Sequence, residues 1–212
     1  MEDPIGNWIW LADLAGTRAA LCVGDASDTM ANALSRRFEV TWVAEARAVE
    51  LARLRTRLAT APPGVRLVRA GPDALPLDPE SLDCVTLHGL FDWWPERGIR
   101  AARAALLADI RRALRPGGCL YVAHANRRLT RGSRPGAMTR ALRRAGFRRV
   151  RSFYAEPSHL EARYVIPSTR QATLACERAL FQEYRQRRLR RSLAALGLHR
   201  LLYGSVLHLA EA

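Results

Sequence analysis

The 212-residue chain contains no lysine, and all 34 of its basic side chains are arginine. A genome biased towards arginine codons is the simplest explanation, so this absence alone indicates no function. Aromatic residues make up only 7% of the chain, which is few for a nucleic-acid surface that stacks bases on rings. No apolar run reaches the roughly 18 residues that span a bilayer. With 49% apolar residues, the composition excludes global disorder and predicts one sizeable core.

Close cysteine pairs and several enzyme motifs are also missing. The four cysteines show no CxxC spacing, so the sequence predicts no zinc or redox site and no bound metal. The chain has no GxGxxG fingerprint, GxSxG elbow or GxxxxGKS/T loop, which argues against dehydrogenases, α/β-hydrolases and P-loop enzymes. Residues 1–10 contain two acidic residues and no basic one, unlike the positive flank of a secretory signal, so we expect a cytoplasmic location.

The basic residues are concentrated in the second half of the chain. Residues 1–110 carry 12 arginines and 15 acidic residues, a net charge of −3, whereas residues 111–212 carry 22 arginines and 5 acidic residues, a net charge of +17. Such a basic half predicts an anionic partner: a phosphate, a carboxylate, a nucleic acid or an acidic membrane surface. Five arginines fall within residues 185–191. We interpret this tail first as the solvated face of a docked helix, next as a helix that contacts a membrane or a lipid-linked substrate, and last as a nucleic-acid contact.

Short apolar runs alternate with helical patterns along residues 19–166. The predicted strands cover residues 19–23, 40–43, 65–68, 82–88, 119–123, 150–154 and 163–166, and the main predicted helices begin near Thr29, Glu45, Ile99 and Met138. The apolar and aromatic segment at residues 5–14 predicts a short covering helix, and the tail from Thr169 is predicted to be helical. This alternation predicts parallel strands joined by right-handed crossovers. We therefore expect a Rossmann-like, doubly wound, three-layer α/β fold whose mostly parallel sheet has an antiparallel edge. Residues 1–166 would form this domain, and residues 167–212 an arginine-rich helical extension packed on it.

Four segments within residues 18–154 carry a resemblance to a known family. They are LCVGDASD at residues 21–28, VAE at residues 43–45, ALPL followed by SLDCV between residues 74 and 85, and LRPGG at residues 114–118. In these segments and their order, the chain resembles the class I S-adenosylmethionine-dependent methyltransferases of the type 11 kind. HGLFDWW, LYVAHANR and AGF…YAEPS are similar to segments of a bacterial subgroup that has an ENR-like motif after the fifth strand.

The resemblance implies S-adenosylmethionine as the cofactor. The residues that it assigns to donor binding are Gly24, Asp25, Ala26, Asp28, Glu45, Asp73 and His88. Bare backbone at Gly24 permits a close approach of the donor, and an acid about 20 residues on, here Glu45, accepts the ribose hydroxyls. The chain departs from the family where Ala26 and Asp28 replace glycines. It also has Gly71 where an adenine-side acid is common, with Asp73 two residues on.

Candidates for the reaction itself lie in the loops after the fourth and fifth strands, since ligands bind at the carboxyl ends of such strands. His88 and His124 end these two strands and are candidate catalytic bases, because imidazole titrates near neutral pH. The alternative for each is a histidine bonded to backbone. The candidate substrate-binding residues are Asp92, Trp93, Asn126 and Arg127.

The sequence thus predicts an enzyme that methylates, at oxygen, an anionic small-molecule or glycan- or lipid-linked acceptor. Two alternatives stay open. A methyltransferase-like subunit without catalysis, bound to a partner enzyme, would explain the altered first loop. An RNA methyltransferase would explain the charge of residues 111–212, although an acceptor other than nucleic acid is favoured.

Overall fold

A computed structural model describes residues 4–24, 27–60, 63–75, 77–93, 99–126, 135–181, 187–198 and 201–212. The strands are β1 (Ala19–Gly24), β2 (Val40–Ala44), β3 (Val65–Val68), β4 (Leu82–His88), β5 (Leu114–Ala125), β6 (Arg148–Glu156), β7 (Tyr164–Pro167) and β8 (Ser205–Glu211). A 3-10 helix at Pro4–Leu11 precedes the helices α1 (Ser27–Ser35), α2 (Ala48–Arg57), α3 (Leu90–Trp93), α4 (Ile99–Ala113), α5 (Pro135–Arg144), α6 (Arg170–Ala179) and α7 (Arg187–Ala195).

The strands form one sheet in the order β3-β2-β1-β4-β5-β8-β6-β7. From β3 to β5 the neighbouring strands are parallel. Strand β8 runs antiparallel to both β5 and β6, and β7 is antiparallel to β6. This sheet confirms the predicted Rossmann-like α/β fold with its antiparallel edge. After β3 the chain returns to place β4 beside β1, so a crevice is expected between the carboxyl ends of these two strands.

Apolar residues on the two faces of the sheet form separate clusters. On one face Trp8 of the 3-10 helix packs with Met30 of α1 and Tyr121 of β5. On the other face Ile110 of α4 and Met138 of α5 pack against the sheet. Strand β4 is buried along its whole length, which explains why its sequence lacks the regular alternation of apolar and polar residues that a half-exposed strand shows. The helices on both faces thereby fix the strand ends that carry the site.

The N-terminal segment was expected to be a covering helix at residues 5–14, and it is the shorter 3-10 helix. Trp8 stacks on Tyr121 with ring centroids 4.1 Å apart. The segment therefore covers the sheet as expected, through this pair of rings. In the described residues no helix is both long enough and apolar enough to cross a membrane.

The expectation that the whole tail from Thr169 is helical is wrong for residues 205–211. These residues form β8, which lies inside the sheet between β5 and β6. The run Val206–Ala210 is buried, and a short apolar run of this kind has no periodicity that separates a buried strand from a buried helix. The expected boundary between residues 166 and 167 therefore divides two parts of one sheet.

Candidate functional site

The carboxyl ends of β1 and β4 lie side by side, with Gly24 opposite His88 in the parallel register. Gly24 has a positive φ of 115°, and a Cβ at this position would overlap the carbonyl oxygen of His88. Both observations require glycine at the end of β1. Asp25 and Ala26, the next two candidate donor-binding residues, lie outside the described part of the chain.

Asp28 stands in the first turn of α1, where the charge of a carboxylate suits the helix dipole. Its Oδ2 atom lies 3.1 Å from Nη1 of Arg57 at the end of α2. Asp28 thus forms an ion pair with the neighbouring helix α2. This ion pair orients the one side chain that stands, in the described residues, at a position where the resembled family has a glycine.

Glu45 follows β2 directly and is the acid nearest to the end of that strand. Its carboxylate accepts hydrogen bonds from the backbone N–H of Arg47 at 2.8 Å and from the Arg47 guanidinium at 3.0 and 3.2 Å. Burial alone would raise the pKa of Glu45, but these hydrogen bonds and the Arg47 charge outweigh it and lower the pKa. Glu45 therefore presents an ionised acceptor at this edge of the sheet.

Asp73 lies in the turn that follows β3 and is exposed to solvent. The N–H of Ala74 closes this turn by donating to the carbonyl of Gly71 at 3.1 Å. A Cβ on Gly71 would come 3.4 Å from the Cβ of Ala46, so the turn packs beside the segment that carries Glu45. Asp73 and Glu45 therefore share the edge of the sheet formed by the ends of β2 and β3.

His88 is buried at the end of β4, and its neighbours engage its ring. Its Nε2 atom lies 3.1 Å from the carbonyl oxygen of His159, which can only accept, so Nε2 donates. The ring is parallel to that of Tyr121, with centroids 6.3 Å apart, and lies 4.9 Å from the ring of His159. The Nε2 atom of His88 is therefore bonded to backbone, as the alternative interpretation of this histidine expected.

His124 is buried at the end of β5 and is bonded through both ring nitrogens. Nδ1 lies 2.9 Å from the carbonyl oxygen of Ala125, and Nε2 lies 3.4 Å from Nε2 of His208 in β8. Burial is the largest cause of the lowered pKa of His124, so the ring is neutral at pH 7. His124 is therefore part of a buried chain of hydrogen bonds, and both of its ring nitrogens are engaged within the protein rather than directed at a substrate.

A second polar chain joins Asp92, His159 and Ser205 at the same edge of the sheet. Both carboxylate oxygens of Asp92 accept from the N–H of Ala125, at 2.9 and 3.0 Å, which holds α3 against the end of β5. His159 places Nδ1 2.9 Å from the hydroxyl of Ser205 and Nε2 3.6 Å from Asp92. Burial, followed by the charges that His88 and His124 would carry, lowers the pKa of His159 to about 4. The ring is therefore neutral, and its contact with Asp92 is not an ion pair at pH 7.

Asn126 follows β5 and ties it to the segment before β8. Its side-chain amide donates to the carbonyl of Tyr203 at 2.9 Å, and its backbone N–H donates to Gly204 at 2.7 Å. Trp93 is the last residue of α3. Arg127 lies outside the described residues. Of the candidate substrate-binding residues, Asp92 and Asn126 are thus placed at the ends of β4 and β5, as expected.

Sequence reasoning missed His159, Ser205 and His208. The loop after β6 carries His159 to the same edge as the ends of β4 and β5, because β6 runs parallel to β5 across the antiparallel β8. Ser205 reaches this edge as the first residue of β8. The assignment of residues 205–211 to a helix concealed both Ser205 and His208. The scarcity of histidine, five in the chain, was the available signal, since four of them meet here.

The sequence matches one known family over about half of its length. The model of the family described as "Methyltransferase domain" matches residues 21–122. This stretch runs from β1 into β5 and includes Gly24, Glu45, Asp73, His88 and Asp92. No curated protein sequence matches the chain.

Solved structures show the same fold at low sequence identity. An S-adenosylmethionine-dependent methyltransferase from Mesorhizobium loti is 16% identical, with a TM-score of 0.57, and 98% of each chain is covered. Another from Archaeoglobus fulgidus is 12% identical, with a TM-score of 0.62, and covers 98% of this chain and 92% of its own.

A third neighbour comes from a two-protein complex. In the complex of the Haloferax volcanii Trm112 methyltransferase activator with a methyltransferase, the matching chain is 18% identical, with a TM-score of 0.63. The match covers 99% of this chain and 90% of that one. Each of these likenesses covers 98% or 99% of this chain.

Proposed function

We propose that this chain, which matches the methyltransferase-domain family over residues 21–122 and shares the fold of S-adenosylmethionine-dependent methyltransferases, transfers a methyl group to an oxygen atom of an anionic acceptor. The acceptor is a small molecule or a glycan- or lipid-linked group. One observation carries the proposal: at the crevice between β1 and β4, Gly24 presents bare backbone, and the ionised Glu45 stands at the end of the adjacent β2.

The donor half of the site is proposed to lie over β1, β2 and β3. Glycine at position 24 leaves backbone that a donor can approach, and the Glu45 carboxylate is a suitable acceptor for paired ribose hydroxyls. Asp73 stands on the same edge, where it can meet the adenine side. The pairing of Asp28 with Arg57 supports donor binding, because it commits that carboxylate to helix α2.

The acceptor half is proposed to lie over the ends of β4, β5 and β8, around Asp92, His159 and Ser205. Arg127, which follows Asn126 in the sequence, is the proposed partner of the anionic group, because a guanidinium binds a carboxylate or phosphate through two parallel hydrogen bonds. An acceptor over the ends of β4, β5 and β8 would lie beside His88, which is opposite Gly24 in the sheet.

The chemistry at this edge favours an acceptor oxygen that is already ionised. When bound, S-adenosylmethionine supplies a methyl group activated by a positively charged sulfur. An ionised carboxylate needs no base to accept it, whereas a hydroxyl must first lose a proton. His159 has a pKa of about 4 and is a weak base, and His124 has both ring nitrogens bonded. Much of the rate then comes from positioning, which the rigid strand ends supply.

Calorimetric titration of the protein with S-adenosylmethionine and S-adenosylhomocysteine tests the donor half. We expect binding of both, and an affinity reduced about tenfold by Glu45→Gln, because a hydrogen bond to a charged group contributes about 1.5–3 kcal/mol. Glu39→Gln is the matched control. Glu39 is exposed and directly precedes β2, so it lies at the opposite end of the strand from Glu45. The absence of heat and of a thermal shift with either nucleoside would overturn the proposal.

A non-catalytic, partner-bound subunit is the second candidate. It is favoured by Arg47, which already binds the Glu45 carboxylate, and by the neighbour that is itself bound to an activator protein. This candidate predicts that the isolated chain binds no donor and that a catalytic methyltransferase co-purifies with it. Donor binding by the isolated chain excludes it.

A further inference from the structure

Helix α7 presents Leu189 to solvent and Arg190 to the protein interior, while its other leucine, Leu193, is half-buried. Leu189 and Leu196, which follows the helix, have 56% and 73% of their surface exposed, whereas Arg190 and Ala194 are buried. A surface helix ordinarily turns its apolar stripe to the core and its charges to water. The rotation of α7 is the reverse of this pattern.

A buried ion pair fixes that rotation. The Arg190 guanidinium donates to both carboxylate oxygens of Glu177 in α6, at 2.9 and 2.8 Å, and the Tyr203 hydroxyl donates to the same carboxylate at 2.6 Å. The guanidinium also lies over the ring of Phe181, 4.7 Å from its centroid. Releasing Arg190 would leave the buried Glu177 without its cation, so α7 cannot turn to bury its leucines at low cost.

Exposed arginines lie on the same two helices as the exposed leucines. Arg170 and Arg178 of α6 and Arg188 of α7 are exposed, and Leu180 is exposed at the end of α6. Helices α6 and α7 form a helical hairpin. In its described part, residues 170–181 and 187–198, the one acidic residue is Glu177, and it is buried. We call the set formed by Leu180, Leu189, Leu196, Arg178 and Arg188 the leucine–arginine face.

We propose that the leucine–arginine face binds the surface of an anionic lipid bilayer. An amphipathic helix that combines aliphatic side chains with arginines lies in the headgroup region, with its apolar side chains buried and its cations near the lipid phosphates. A nucleic acid would use the arginines but gain little from aliphatic leucines, and Phe181 is buried. A second copy of the chain would bring two cationic faces together. This proposal does not depend on the methyl-transfer proposal.

Vesicle flotation of the full chain tests this surface. We expect binding to phosphatidylcholine vesicles that contain phosphatidylglycerol, weak binding to pure phosphatidylcholine, and release by salt. Leu189→Ser with Leu196→Ser should lower partitioning at least tenfold, and Arg188→Gln about fivefold, since each basic residue contributes about 1 kcal/mol at such a surface. Leu160→Ser and Arg55→Gln, at exposed positions outside the hairpin, should leave it unchanged.

Circular dichroism and thermal melts of each variant show that the fold is retained, which is expected because the substituted leucines are exposed. Failure of the wild-type chain to float with anionic vesicles would overturn the proposal. Equal flotation with neutral vesicles would also overturn it, as would binding to single-stranded RNA that the two leucine substitutions leave intact while vesicles remain unbound.

Discussion

The imidazole rings of His124 and His208 face each other in the interior, with their Nε2 atoms 3.4 Å apart. The carbonyl oxygen of Ala125 can only accept, so Nδ1 of His124 carries the hydrogen and its Nε2 offers a lone pair. Nε2 of His208 must then donate, and its Nδ1 accepts from the hydroxyl of Ser152 at 2.9 Å. Each ring is thereby fixed in one neutral tautomer.

This relationship predicts that the protein loses stability as the pH falls below about 7. Burial is the largest cause of the lowered pKa values of His124, His159 and His208. In the unfolded chain each histidine takes up a proton near pH 6.5, whereas the folded chain resists it. The free energy of unfolding should therefore fall by about 1.4 kcal/mol per pH unit for each of these histidines.

Urea unfolding at intervals between pH 8 and pH 5 measures that slope. His208→Gln removes one of the three titrating rings while keeping a group that can hydrogen-bond to Ser152, so its slope should be smaller by the contribution of one histidine. A free energy of unfolding that stays constant or rises as the pH falls to 5 would contradict the prediction.

Replacing Gly24 by alanine is expected to destabilise the fold by about 3 kcal/mol. Two costs combine: the positive φ, which is worth about 1 kcal/mol, and the overlap of the new Cβ with the His88 carbonyl. Gly146→Ala is the matched control, because Gly146 also has a positive φ but would place its Cβ in open space. Thermal or urea unfolding of both variants separates the two costs. Equal destabilisation by the two substitutions would show that the overlap with His88 is relieved.

The buried pair of Glu177 and Arg190 should respond differently to single and double substitution. Glu177→Leu leaves a buried guanidinium without its carboxylate, which costs about 3–5 kcal/mol. Adding Arg190→Met removes that charge and should restore part of the loss, because an apolar pair replaces an ion pair with a large desolvation cost, although the Tyr203 hydroxyl still lacks the acceptor that Glu177 provides. Urea midpoints of the wild type and the two variants measure this. A double variant as unstable as the single one would contradict it.

Sequence reasoning predicted the strands whose apolar runs are bounded by glycine, proline or charge, such as β1 and β4. It could also place His88 and Asp92 at the carboxyl edge, because the edge follows from the order of strands. The partners of these residues could not be found in this way. Arg57, which binds Asp28, lies 29 residues away, and no local pattern encodes such a pairing.

The burial of Arg190 shows a second limit of structure prediction from the sequence. Arginines near residue 190 all look alike in sequence, yet Arg190 is buried against Glu177 while Arg188 is exposed. Which arginine turns inward depends on where the Glu177 carboxylate lies after folding. Charge density alone therefore predicted a cationic helix correctly but could not indicate the exposed leucines, which depend on that one internal pairing.

Asp83 at the beginning of β4 links the two halves of the sheet and should make a pH-dependent contribution. Its carboxylate accepts the backbone N–H groups of Arg18 and Ala19, at 2.7 and 2.9 Å, and the Arg115 guanidinium at 2.9 Å. Burial alone would raise the pKa of Asp83, but these donors outweigh it and lower the pKa. The stabilisation is therefore fully present above about pH 4 and is lost as the pH falls through the lowered pKa.

Asp83→Asn tests this directly, because the amide keeps the shape but carries no charge. At pH 7 the variant should be less stable by about 2–3 kcal/mol, the range for hydrogen bonds to a charged group and a buried ion pair. The difference should shrink as the pH is lowered below 4, since the wild-type carboxyl is then protonated too. Asp78→Asn, at an exposed position in the preceding loop, is the control and should match the wild type throughout. A difference between Asp83→Asn and the wild type that is the same at pH 3 and pH 7 would show that shape, and not charge, makes Asp83 matter.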